Sequence, residues 1–101
     1  MAGVNLPIVA IPIAPGATTA GDSISIPSGA PKISQLVSAV LFAGSDGTNA
    51  ASATALSVVS DASSSGQISK VSSTAVKLGD DTTTRDMLVI VYVPEASAPG
   101  F

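Results

Sequence analysis

Asp86–Val93 reads DMLVIVYV, a nearly continuous apolar run closed by Pro94. Its Val, Ile and Tyr content suits a β-strand. A run apolar on both sides predicts a strand in the middle of a sheet, buried on both faces. Were one face left open, either Leu88, Ile90 and Tyr92 or Val89, Val91 and Val93 would form an aggregation-prone surface. This strand is the expected core of the fold, and the other segments are read outward from it.

Upstream, Ser72–Leu78 (SSTAVKL) and Gln67–Val71 (QISKV) carry strand-like residues, with Gly79 and the polar stretch Asp80–Arg85 (DDTTTR) leading into the core strand. Asp61–Gly66 (DASSSG) is dense in turn formers and predicts a hairpin joining Thr54–Ser60 (TALSVVS) to Gln67–Val71. Gly44–Asn49 (GSDGTN) is a loop on the same grounds. Ile33–Ala43 (ISQLVSAVLFA) fits two templates. Ile33, Leu36, Val37, Val40 and Leu41 fall at helical spacing, whereas the β-branched content and the lack of charges for a solvent face favour a strand. The strand is preferred. Asp22–Ile26 (DSISI) alternates polar and apolar, the pattern of a half-buried strand, and Pro27–Pro31 ends it.

Val4–Ala14 (VNLPIVAIPIA) is apolar, β-branched and interrupted by Pro7 and Pro12. Proline cannot donate to a sheet ladder, which leaves an edge strand of the same molecule or an extended arm docked on a neighbouring subunit. In the arm reading, Val4, Leu6, Ile8, Val9, Ile11 and Ile13 are the proposed subunit or lattice contacts, with Phe101 as a small anchor at the other end. Leu6–Ala14 is apolar enough to suggest the middle of a signal peptide. No Lys or Arg precedes it, however, and Pro7, Pro12 and Pro15 would break the helix, so the segment is read as structural. The expected organisation is an extended arm over 1–15, an all-β domain over 16–94 and a tail over 95–101. Short strands separated by Ser, Thr and Gly turns, with no convincing helix, predict an antiparallel β-sandwich or barrel of jelly-roll or immunoglobulin-like type.

Composition narrows the function classes. Charged residues make up 11% of the 101 residues, four basic and seven acidic, against about one quarter in an average globular domain. No apolar run approaches the 18 or more residues of a membrane helix. So little charge on a small domain implies that much of its surface is covered by copies of itself or by a larger lattice. A net charge of −3, with Lys32, Lys70, Lys77 and Arg85 scattered along the chain, argues against nucleic-acid binding. Neither His nor Cys is present, which removes the usual general base, the commonest metal ligand and thiolate chemistry. Phosphate-binding glycine loops and the G-x-S-x-G elbow do not occur either. Asp80, Asp81 and Asp86 are the one carboxylate cluster. With Thr82–Thr84 they could supply hard oxygen ligands to calcium, but their spacing matches no EF-hand or repeat-type calcium loop, and a solvated loop is the preferred reading. Asp46 is a turn residue. No catalysis and no cofactor is expected.

The stretch Gly66–Pro94 (GQISKVSSTAVKLGDDTTTRDMLVIVYVP) resembles short structural proteins of tailed bacteriophages, with strands ending in small polar turns and a strongly apolar last strand. Some of these are head-decoration, or cement, proteins: β-sandwich or barrel modules that sit as trimers or other oligomers on the capsid exterior, often tied together by a terminal arm. The resemblance is one of texture and carries no signature residue. It implies a virion protein on the capsid surface, with itself and the major capsid protein as partners and with no nucleic acid or membrane among them. A tail, fibre or extracellular-filament subunit is the first alternative, and a small carbohydrate- or protein-binding β-module the second.

Overall fold

The computed structural model describes residues 8–45 and 50–95. Among these there are seven strands and no helix: β1 (Val9–Ile13), β2 (Ser23–Ser25), β3 (Ile33–Ala43), β4 (Ser52–Val58), β5 (Gln67–Ser72), β6 (Ala75–Leu78) and β7 (Met87–Pro94). They form one sheet in the order β1-β7-β3-β4-β5-β6-β2, curled into a half-barrel. Every pairing is antiparallel except β4 with β5, which is parallel and limited to Ser57–Gln67 and Val58–Ile68. The all-β expectation stands, and the sheet is mixed where a purely antiparallel one was expected.

The parallel junction corrects the hairpin expected at 61–66. The chain between β4 and β5 turns back on itself and enters β5 in the direction of β4. Polar side chains hold it there. Asp80 accepts from the Gly66 amide at 2.7 Å and from the Ser65 hydroxyl at 2.5 Å, and Gln67 Oε1 accepts from the Ser63 and Ser64 amides at 3.0 and 3.1 Å. The buried Ser69 hydroxyl takes the Ala62 amide at 3.0 Å. The hairpin turn lies instead at Ser73–Thr74, where Ser72 Oγ accepts from the Thr74 amide.

Strand β3 has the bounds expected of it, and its helix-like spacing has a structural cause. Its buried residues at the start are Ile33, Leu36 and Ala39, three apart, because the ladder with β7 shifts register between Ile33 and Gln35 and again between Leu36 and Ser38. Each bulge inserts one residue, which turns a period of two into a period of three.

One core fills the concave side. Leu88, Ile90 and Tyr92 from β7 meet Ile13, Ile33, Leu36 and Ala39 from its neighbours, and Ile24, Leu56, Ile68, Val76 and Leu78 from the remaining strands. Tyr92 is fully buried and donates its hydroxyl proton to the Pro31 carbonyl at 2.6 Å. A second polar pin ties the β1–β2 connection to the segment after β6. The buried Thr82 hydroxyl donates to the Gly16 carbonyl at 2.6 Å, so the Thr18 hydroxyl, also 2.6 Å away, must donate to Thr82. Paired backbone bonds between Thr18 and Thr82 flank this contact. Thr82→Val keeps the shape and removes the hydroxyl, leaving the Gly16 carbonyl without that donor. It is expected to cost about 1–3 kcal/mol in urea unfolding, and a loss below a few tenths would show that the pin does not hold the connection.

Candidate interaction surface

Strands β1, β7, β3 and β4 are consecutive in the sheet, and alternation gives them a convex face pointing away from the core. The register places its residues in rows. One row runs Pro12–Val89–Val40–Ala55, the next Met87–Phe42–Ala53, and on the other side Ala10–Val91–Ser38. Val93 and Gln35 continue it, and Ile8, the residue before β1, is 62% exposed. None of these residues is charged. Phe42 is 44% exposed and Met87 39%, while Val89, Val91 and Val93 are half-buried by their neighbours alone.

Strand β7 was expected to be buried on both faces. Only Leu88, Ile90 and Tyr92 are fully enclosed, and the Val89–Val91–Val93 side lies on the open face. Continuous apolar character here reflects a surface that none of the described residues covers. At one end of the face, Phe42, Ala53, Met87 and Arg85 line a shallow dish, with Arg85 as its charged residue. Gly44 lies so close to Arg85 that a Cβ would approach the Arg85 carbonyl oxygen to 2.5 Å, which fixes this end of the hairpin against the loop before β7.

The residues expected to make contacts as an arm are divided. Val9, Ile11 and Ile13 stand opposite Tyr92, Ile90 and Leu88 and pack on the core, so over β1 the expected arm is an edge strand of its own chain. Their apolar sides are spent internally. Ile8 projects to solvent, and Val4, Leu6 and Phe101 lie outside the described residues, as does Asp46. The residues that sequence reasoning missed are Val40, Phe42, Ala53 and Ala55. Their signal was the lack of any charge in Ile33–Ala43, which had been used only to choose between strand and helix.

The carboxylate cluster is occupied with backbone. Asp80 caps the turn at Ser65–Gly66, Asp81 accepts from the Ala20 amide at 2.7 Å, and Asp86 accepts from the Thr83 amide at 3.0 Å and its hydroxyl at 3.2 Å. These bonds brace loops at the open mouth of the half-barrel, beside Leu41, Thr54 and Leu56. The Asp61–Lys77 ion pair is solvent-exposed and structurally minor. Among the described residues, no group of three or more Asp or Glu side chains is arranged to hold a metal ion, and no helix is long and apolar enough to cross a membrane.

Comparison with protein-family models, with curated proteins and with solved structures gives no match, so neither family nor function comes to this chain by likeness.

Proposed function

We propose that the protein is a structural subunit of a virus particle, a capsid decoration or cement protein that binds the outer surface of a phage head and stabilises it by bridging capsid subunits. One observation carries the reading: a four-stranded sheet face, uncharged and largely apolar, is left uncovered by the described residues of a chain with very few charges. An exposed patch of this kind marks an interaction surface. A chain that works only within an assembly has no need of a charged outer face. The finer architecture that goes with this function is a sandwich or jelly-roll module, in which neighbours supply the layer that the half-barrel lacks. Its partners are copies of itself, as a homotrimer or another homo-oligomer, and the major capsid protein. Its place is the capsid surface, and its role is mechanical, not catalytic.

Contact with the capsid falls to the segment leading up to β1, with Val4, Leu6 and Ile8, and to Phe101. Burial at about 25 cal/mol per Å², less ordering costs, gives a few kcal/mol per site, and a lattice multiplies it. The test is binding of the purified protein to undecorated heads. Full-length chain is expected to saturate them at a simple ratio to the major capsid protein, and a chain lacking residues 1–7 to bind about tenfold or more weakly. Cutting at residue 14 would be uninformative, because it removes β1 and uncovers Leu88, Ile90 and Tyr92. Lack of binding by the full chain sinks the proposal. Growth of long assemblies without heads would move the protein to the tail, fibre or filament class, which the same open face also suits.

A further inference from the structure

We infer that the outer face of β7-β3-β4 is a two-fold interface, covered by the same face of a second copy of this chain. The inference rests on the assembly reading above and names the partner of its open face. Any apolar partner could cover an apolar face, but the size pattern along the rows selects one. Across β7, β3 and β4 the central row reads Val89–Val40–Ala55, and the next reads Met87–Phe42–Ala53. Each is bulky on β7, bulky on β3 and small on β4. A two-fold axis in the plane of the interface and running along β3 reverses every row against itself. Val89 of one copy then stands over Ala55 of the other, Met87 over Ala53, and the two Phe42 side chains meet at the axis. High ground is set on low ground at both sides by one operation, which is the self-complementarity that a closed dimer requires.

Charge is compatible with this occupant. The three rows hold no charged residue, so no ion is buried among them, and Arg85 stands beyond Met87 at the end of the face. About this axis three strands of each copy, β7, β3 and β4, face each other; about 4.8 Å apart and about six residues long, they present roughly 300 Å² in projection. Two such faces give roughly 600 Å², the size of a weak pair that forms only at high protein concentration. The β4–β5 junction is only two pairs long, whereas β7, β3 and β4 are joined by longer antiparallel ladders and form one layer able to pack on another. Edge-to-edge pairing is the weaker option. β2 offers three residues, and Pro12 on β1 has no N–H to donate.

The experiment uses sedimentation equilibrium and single-cysteine crosslinking, the chain having no cysteine of its own. At about 100 μM the wild type is expected at twice 9.8 kDa, and Ala55→Lys, at an exposed position, to weaken the pair by about tenfold or more. Phe42→Cys is expected to form an intermolecular disulfide readily under mild oxidation. Val71→Cys, on an exposed position of β5, is expected not to. Circular dichroism melts confirm that each variant is folded. A wild-type monomer or trimer overturns the two-fold pair, as does a dimer indifferent to Ala55→Lys or crosslinking equally at both positions. A wild-type monomer whose binding to heads is abolished by Ala55→Lys would assign the face to the capsid, removing the pair and keeping the function. A clean dimer that ignores heads would do the reverse.

Discussion

Adding one methyl group at Gly79 is expected to destabilise the protein by about 3 kcal/mol or more, or to prevent folding. A Cβ there would press into the backbone of Ser64, reaching its carbonyl oxygen and standing 2.6 Å from the carbonyl carbon and 2.9 Å from the nitrogen. A side chain could swing aside, but this backbone cannot. The Ser63 and Ser64 amides are tethered to Gln67 Oε1, and the Gly79 amide donates to the Gln67 carbonyl at 3.1 Å. Both walls of the contact are thus held by the same residue. Gly29→Ala is the control, since Gly29 has a positive φ but open space around the added atom, and it is expected to lose only about 1 kcal/mol. Urea midpoints of the two variants decide the matter. If Gly79→Ala loses no more than Gly29→Ala, the close approach of the 59–66 loop to the end of β6 is wrong.

The second large effect belongs to Tyr92. Tyr92→Ala removes a ring buried against β1 and β3 and is expected to cost about 3–5 kcal/mol. Tyr92→Phe keeps the ring and deprives the Pro31 carbonyl of its donor, at about 1–2 kcal/mol. The hydroxyl also sets a pH limit. Burial raises its pKa above the ordinary phenol value, because desolvation disfavours the phenolate. The folded state therefore holds the proton more tightly than the unfolded chain does. Its contribution is intact below the unfolded value of about 10 and is lost as pH rises through the folded one. The stability gap between wild type and Tyr92→Phe is expected to be constant from pH 6 to about 9 and to close above pH 10. A gap that stays open well above the pH at which the absorbance of this lone tyrosine shows it ionised would remove the hydroxyl from the account.

What could be read in the amino-acid order was local. The core strand, the bounds of β3 and the alternation that buries Ile24 and Ile26 all follow from which residues stand side by side. Direction and coverage did not. The turn formers at 61–66 announce a change of course, but only Asp80, fourteen residues beyond Gly66, shows that the chain comes round to run parallel. The two bulges of β3 gave a strand the spacing of a helix, and the doubt ended only when β7 was set beside it. In β7, apolar side chains told which atoms avoid water without telling what shields them. Val89 and Val91 look the same in the sequence as Ile90, though among the described residues Ile90 is enclosed and they are only half-buried. The candidate surface was hidden for a related reason, since its rows run across strands drawn from three distant stretches of chain.

β7 is also the last of the described strands to be made, and it pairs with both β1 and β3. On the ribosome, six strands emerge before the one that joins the first to the third, so the larger half of the sheet cannot zip up progressively. That half must wait for β7 and then close contacts some eighty residues apart, a topology that favours slow folding. The order has a protective side. The most adhesive segment of the protein enters the cell when both of its partner strands already stand ready, and it spends little time exposed alone.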